Sequence, residues 1–271
     1  MKHLLFSCFA ILTFFVCGQD STLYEWKEIR TFDLEKESQW TVDAFENVYI
    51  SNRGTINKYD VNGELTFSQS IKSLGRMTDL VLVNTMRLIH FSEEQQTLCY
   101  FDNTLSELDD CIELSDQGVV NAFLISSSSQ PNKIWVLDNF NSTLSFLSLD
   151  RTIQSQKIIN LKGVLNIQNV VQMLEYGNAL YMLDSEKGIY QFDLYGSLVQ
   201  FIPQQNVKQF AIVGSTLYLL FENQLIIHAL EFNDSFRIDL PITGVIELKE
   251  VNQSFFLRTD KKVHKFELVF R

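Results

Sequence analysis

The chain of 271 residues is 46% hydrophobic and 20% charged, which excludes a disordered or fibrous protein and leaves ample apolar material for a packed core. Its 33 acidic residues outnumber 22 basic ones, for a formal charge of −11. Such a surface repels phosphate backbones and no Lys/Arg stripe offsets it, so nucleic acid is not expected as a partner.

Residues 1–18 read apart from the rest. Lys2 and His3 precede an apolar run from Leu4 to Val16, with no acidic residue before Asp20. A run of that length is too short to cross a bilayer comfortably, and it matches the core of a secretory signal peptide. Val16 and Gly18 stand at −3 and −1 of a cut before Gln19, which leaves a mature chain of residues 19–271 at −12 once Lys2 is lost. Cys17 offers a second option, a lipid anchor, although Phe14-Phe15-Val16 is a poor lipobox. Either route exports the chain, and the expected location is the periplasm or outer membrane of a Gram-negative bacterium, or the medium. No later segment is long and apolar enough to form a transmembrane span in the mature chain.

Leu23 to Leu34 then alternates as a strand, and Trp26 within it is a candidate docking anchor. Trp40 begins a series of recurring phrases: Val48-Tyr49-Ile50, Leu88-Ile89-His90, Ile134-Trp135-Val136, Leu180-Tyr181-Met182, Leu217-Tyr218-Leu219 and Phe255-Phe256-Leu257. Between Tyr49, Leu88, Trp135, Tyr181, Tyr218 and Phe256 the steps are 39, 47, 46, 37 and 38 residues. A period near 40 with several short strands per unit predicts an all-β fold, a six-bladed β-propeller of four-stranded antiparallel blades. Six repeats fill the chain, so residues 19–271 are read as one domain.

In the first repeat Trp40–Phe45 reads as the inner strand, followed by Val48–Ser51, Thr55–Asp60 and Glu64–Gln69, with Asp60-Val61-Asn62-Gly63 turning between the last two. In the second, Cys99 and Cys111 flank a turn at Asp102 to Leu105. Export permits a disulfide between them, yet simple pairing sets Cys99 near Leu108, so bonding needs a bulge; two buried thiols are the alternative. The third repeat carries a loop at Ser126–Asn132. The sixth stops after its third strand, and pairing with the N-terminal strand is expected to close the ring.

The stretches Val42-Asp43-Ala44-Phe45-Glu46-Asn47-Val48-Tyr49-Ile50 and Ile56-Asn57-Lys58-Tyr59-Asp60-Val61-Asn62-Gly63-Glu64-Leu65 resemble one blade of the NHL and SMP-30 type six-bladed propellers, and the segment Ile189 to Leu198 follows the second of them. Members of the SMP-30 type are lactonases that hold a divalent cation at the channel mouth through a Glu, Asn groups and an Asp. The resemblance carries fold and not function.

One polar position recurs on the inner strands: Thr41, Thr78, Asn121, Gln172, Gln209 and Glu247. It is read as a hydrated ring around the channel, or as a shallow site for a polar ligand or saccharide. Only Glu247 and Asn121 suit a hard cation, which wants several oxygen ligands and more than one carboxylate, so no metal and no cofactor is expected. Asp138, Asp184, Glu222 and Asp260 recur after the second strand as turn-capping acids. His90, His228 and His264 fall in different repeats, and neither a nucleophile elbow nor a His/Cys metal spacing occurs. No catalytic residue is therefore expected. The sequence points to a non-catalytic exported propeller acting as a protein-binding module or accessory subunit of a cell-envelope complex, with other envelope proteins as partners. The alternatives are a binder of a small polar ligand and a metal-dependent propeller hydrolase or lactonase.

Overall fold

The computed structural model describes residues 24–148, 156–158, 161–229 and 234–270, so the expected signal segment 1–18 and Cys17 lie outside the described residues. Among them are six four-stranded antiparallel sheets, each with its inner strand at one edge. The inner strands are Trp40–Val42, Asp79–Asn84, Ala122–Ser127, Val170–Tyr176, Gln209–Val213 and Glu247–Val251. They line a common channel, and the sheets stack around it as blades.

Each apolar cluster fills a seam between two neighbouring blades, because side chains alternate from one face of a strand to the other. Tyr49, Ile56, Leu88 and Phe101 fill the seam of blades one and two; Trp135, Phe146, Leu180 and Phe192 that of blades three and four; Trp40, Ile50, Phe256 and Val263 that of blades six and one. Strands inside a blade are covered on both faces, which explains why the second strands read as unbroken apolar runs.

The turns repeat a single device. The Asp60 carboxylate accepts the N–H groups of Asn62 (2.9 Å) and Glu64 (2.8 Å), and Asp102 and Asp193 do the same in blades two and four. Gly63 and Gly196 supply the positive φ that this turn requires. Blade two has Leu105 there instead, at φ 65°, and the burial of its side chain offsets the backbone strain.

The sixth blade is closed as expected: Tyr24–Asp33 pairs antiparallel with Lys262–Phe270, from Tyr24 opposite Phe270 to Asp33 opposite Lys262. Three local expectations change. The first inner strand stops at Val42, not Phe45, because the buried Asp43 carboxylate caps the turn by accepting from Phe45 N, Asn47 N and the Tyr49 hydroxyl. The third inner strand runs to Ser127, two residues into the expected loop, where Ser126 and Ser127 pair with Trp135 and Ile134. Trp26 is no free anchor: its Nε1 donates to Asp239 O (2.8 Å) and its ring packs edge-on against Phe255 and Phe266.

In blade two Tyr100 pairs with Leu108 and Leu98 with Ile112, so Cys99 and residues 109–111 form a bulge. Asp109 takes φ 57° there. The bulge brings the Cα atoms of Cys99 and Cys111 to 4.3 Å, and the two sulfurs are bonded.

Candidate functional site

The channel is a cavity of about 540 Å³ walled by the inner strands of all six blades, Thr41, Leu82, Leu174, Ala211 and Lys249 among its lining. An inner strand has no partner on its channel edge, so its free N–H and C=O groups need other satisfaction. Glutamine amides supply it. Gln172 donates from Nε2 to Phe210 O (2.7 Å) and accepts Phe210 N–H at Oε1 (2.9 Å), so that one side chain imitates a neighbouring strand. Gln209 accepts the N–H of Leu248 in the same manner. Gln96, from a turn of blade two, both donates to and accepts from Ala122.

The six polar positions singled out in the sequence therefore do not form one ring. Gln172, Gln209 and Glu247 share a rung, opposite Leu183, Leu220 and Arg258. Thr41 lies opposite Tyr49, on the rung of Lys249 opposite Phe256, one step further along the channel. Thr78 and Asn121 precede their strands and line a recess of about 530 Å³ at the mouth with Arg76, Glu93 and Glu94. Thr78 Oγ1 accepts Glu93 N–H (2.9 Å), and Asn121 C=O accepts Asn139 N–H (2.9 Å). Counting residues fails here because the inner strands differ in length and carry register shifts after Ala122 and Val170.

The charged residues lining the channel are Asp79 of blade two, Lys208 of blade five and Glu247, Lys249 and Glu250 of blade six. Glu247 accepts Trp40 Nε1–H (2.5 Å) and pairs with Arg258 (2.5 Å), whose other end donates to Ser38 O (2.7 Å). Lys249 Nζ donates to Thr41 Oγ1 (3.1 Å) and sits 5.2 Å from the centre of the Trp40 ring. Burial holds the Lys249 ammonium below the ordinary lysine range, against the opposing pull of Glu247 and Asp79. Burial likewise pushes the Asp79 carboxyl up, opposed by Lys249 and by the Leu80 N–H it accepts. The Glu250 carboxyl is raised by burial as well. On the other side Phe123, Leu124, Val171, Leu174 and Ala211 give an apolar wall.

Asp79, Lys249 and Arg258 were missed in the sequence. For Lys249 the signal was present in Ile246-Glu247-Leu248-Lys249, where charged residues alternate with apolar ones on a strand that faces a channel. Among the described residues no three His, Cys, Asp or Glu side chains converge as a metal site. Glu247 spends its carboxylate on Trp40 and Arg258, so the donor set does not fit the hard cation that the SMP-30 resemblance implies. Asp138 and Asp184 act as turn caps, Asp138 accepting from Val120, Asn121, Phe140 and Asn141 N–H groups, and Glu222 pairs with Lys208.

No family model and no curated protein matches this chain. Solved structures do match its fold. Virginiamycin B lyase from Staphylococcus aureus aligns with a TM-score of 0.61 at 11% identity, over 91% of this chain and 100% of that one. BamB from Moraxella catarrhalis aligns at 0.56 and 9% identity, over 90% and 100%. BBS1N, crystallised in complex with ARL6DN, aligns at 0.56 and 11% identity, over 84% and 76%. At such identities the likeness is one of fold, and the same fold serves a lyase in one case and a protein complex in another.

Proposed function

We propose that this chain is an exported, non-catalytic propeller of the NHL/SMP-30 blade type that binds another protein of the cell envelope, as a docking module or accessory subunit. The observation that carries the reading is an apolar group on one face of the ring. Phe140 and Val120 are 71% and 55% exposed, and one Asp138 carboxylate accepts both their backbone N–H groups; Val164 lines a cavity with Asn139, the residue before Phe140. Adjoining exposed apolar side chains on a rigid frame mark an interaction surface. Export follows from reading residues 1–18 as a signal peptide; mass spectrometry of the mature N-terminus separates Gln19 from a lipidated Cys17.

The test is cross-linking of the purified mature protein in envelope membranes, with Phe140→Ser as comparison. A specific partner lost in the variant supports the reading; repeated recovery of nothing by the wild type overturns it. A second reading, a small polar ligand in the channel, is favoured by the half-buried Asp79 and Lys249 lining an open cavity. It predicts a ligand-dependent rise in melting temperature that Lys249→Met abolishes.

A further inference from the structure

The chain is acidic overall, yet one cavity runs against that balance. It has a volume of about 640 Å³ and is lined by Asn139, Ser142, Lys162, Val164, Gln168 and Lys187 among others, with no Asp or Glu in its lining. It lies where the turn of blade three, the segment leading into blade four and the turn of blade four meet. Lys162 and Lys187 are both exposed, and neither pairs with a carboxylate among the described residues. Lys27, Lys208, Lys262 and Lys265, in contrast, each pair with an acid. The nearest acid in sequence, Glu186, is engaged by Asn169 Nδ2 (2.8 Å).

The frame around the two lysines is fixed. Asp184 accepts Lys187 N–H (3.1 Å), and Asn166 holds its own segment through Gln168 N (3.3 Å) and Asn169 Oδ1 (3.1 Å). Val164 lines the same cavity, and the exposed Phe140 directly follows Asn139 of its lining in the chain. We propose that this face of blades three and four receives an acidic segment of a partner protein, its carboxylates meeting Lys162 and Lys187 while an apolar side chain covers Phe140 and Val164. The inference rests on the docking reading above and names where the partner sits and what it carries. A protein segment fits better than nucleic acid or an anionic membrane: two lysines on a surface of net charge −11 are too few to hold a phosphate array, and an exposed Phe needs an apolar counterpart.

The probe is a synthetic peptide of alternating Glu and Leu, labelled for fluorescence anisotropy, with a Lys–Leu peptide as control. Wild-type protein is expected to bind the acidic peptide in a salt-sensitive way and to ignore the basic one. Lys162→Glu with Lys187→Glu should weaken binding at least about tenfold, while Lys27→Glu on the far strand leaves it unchanged; matching melting temperatures confirm that the variants fold. Absence of binding, or binding indifferent to the reversal, overturns the inference, as does binding of anionic vesicles or an oligonucleotide in place of the peptide. An envelope partner still cross-linked by the doubly reversed protein overturns this inference alone and leaves the docking reading standing on another surface.

Discussion

Between the third and fourth blades Trp135, Leu137, Phe146, Leu180, Met182 and Phe192 pack into an apolar layer, with Glu175 accepting Trp135 Nε1–H and Ser129 N–H as its main polar feature. Between the sixth and first blades the apolar layer is thinner, and directional contacts run the whole depth of the seam. Glu247 meets Trp40, Arg258 meets Ser38, Lys249 meets Thr41, Lys265 pairs with Glu46 at 2.6 Å, and Asn252 donates to Ala44 O. The two seams differ in what the chain does for them. Blades three and four follow each other in sequence, so connection brings them together and non-directional packing suffices. Blades six and one share only the short link from Asp33 to Trp40, the other three strands of blade six returning from the far end of the chain, and hydrogen-bonded charges there fix which residues face each other. Buried ion pairs give little net stability after desolvation, so registration is the role we assign them.

Removing the closing strand should have the largest effect. Deleting residues 19–35 takes away the strand that pairs with Lys262–Phe270 and leaves an open sheet edge beside an open seam. We expect loss of the cooperative thermal transition in calorimetry; an unchanged transition would mean that the ring does not depend on its closing strand. Next in size is Trp135→Ala in the apolar seam. The indole is fully buried and stacked on Phe146 at 4.2 Å, and its loss also leaves Glu175 with Ser129 alone of its two partners. Destabilisation of about 4 kcal/mol in urea unfolding is expected; under about 1 kcal/mol would show the seam to be loosely filled.

At the closing seam the expected effect is smaller and reversible by a second change. Glu247→Leu leaves the Arg258 guanidinium, whose side chain is 11% exposed, with only Ser38 O to bond. The cost should be about 3 kcal/mol. Adding Arg258→Met removes the stranded charge, and the double variant should regain most of that loss by the same urea measurement. If the double variant is no more stable than the single one, the pair contributes net energy and not merely registration.

The parts of the molecule that follow local rules could be read from residues alone. The 40-residue period, the Asp-x-x-Gly turns and the missing sixth outer strand depend on alternation, turn chemistry and counting of strands. The need for a bulge between Cys99 and Cys111 followed from register arithmetic. Inside the channel, rung assignment depends on bulges after Ala122 and Val170 that leave no mark in the sequence, so Thr78 and Asn121 aligned falsely with Gln172. Trp26 read as exposed because its cover, Phe255 and the Asp239 carbonyl, comes from residues more than 200 positions away. Long-range contacts of that kind decide the candidate site, which is why the frame was legible and the site was not.

The smallest effect concerns a buried histidine in an apolar seam. By strand alternation His90 faces the same side as Leu88, toward blade one; it is fully buried and both ring nitrogens lack a hydrogen-bond partner. Burial holds its pKa down to about 4. An imidazole that must stay neutral in the fold but protonates freely when unfolded gives stability that is complete above the unfolded value near 6.5 and is lost as pH falls toward 4. Between pH 7 and pH 5 the loss should reach about 2 kcal/mol. Asp79 and Glu250, whose carboxyls burial raises, titrate in the opposite sense, and Asp102 and Asp138, held low by turn hydrogen bonds, act only at lower pH. Unfolding free energies of the wild type and His90→Leu, measured across that range, isolate the imidazole because the carboxyls are common to both. The difference should widen steadily below pH 6.5; a constant difference would mean that the imidazole finds a partner, most simply a water, and that this seam is less dry than its neighbours.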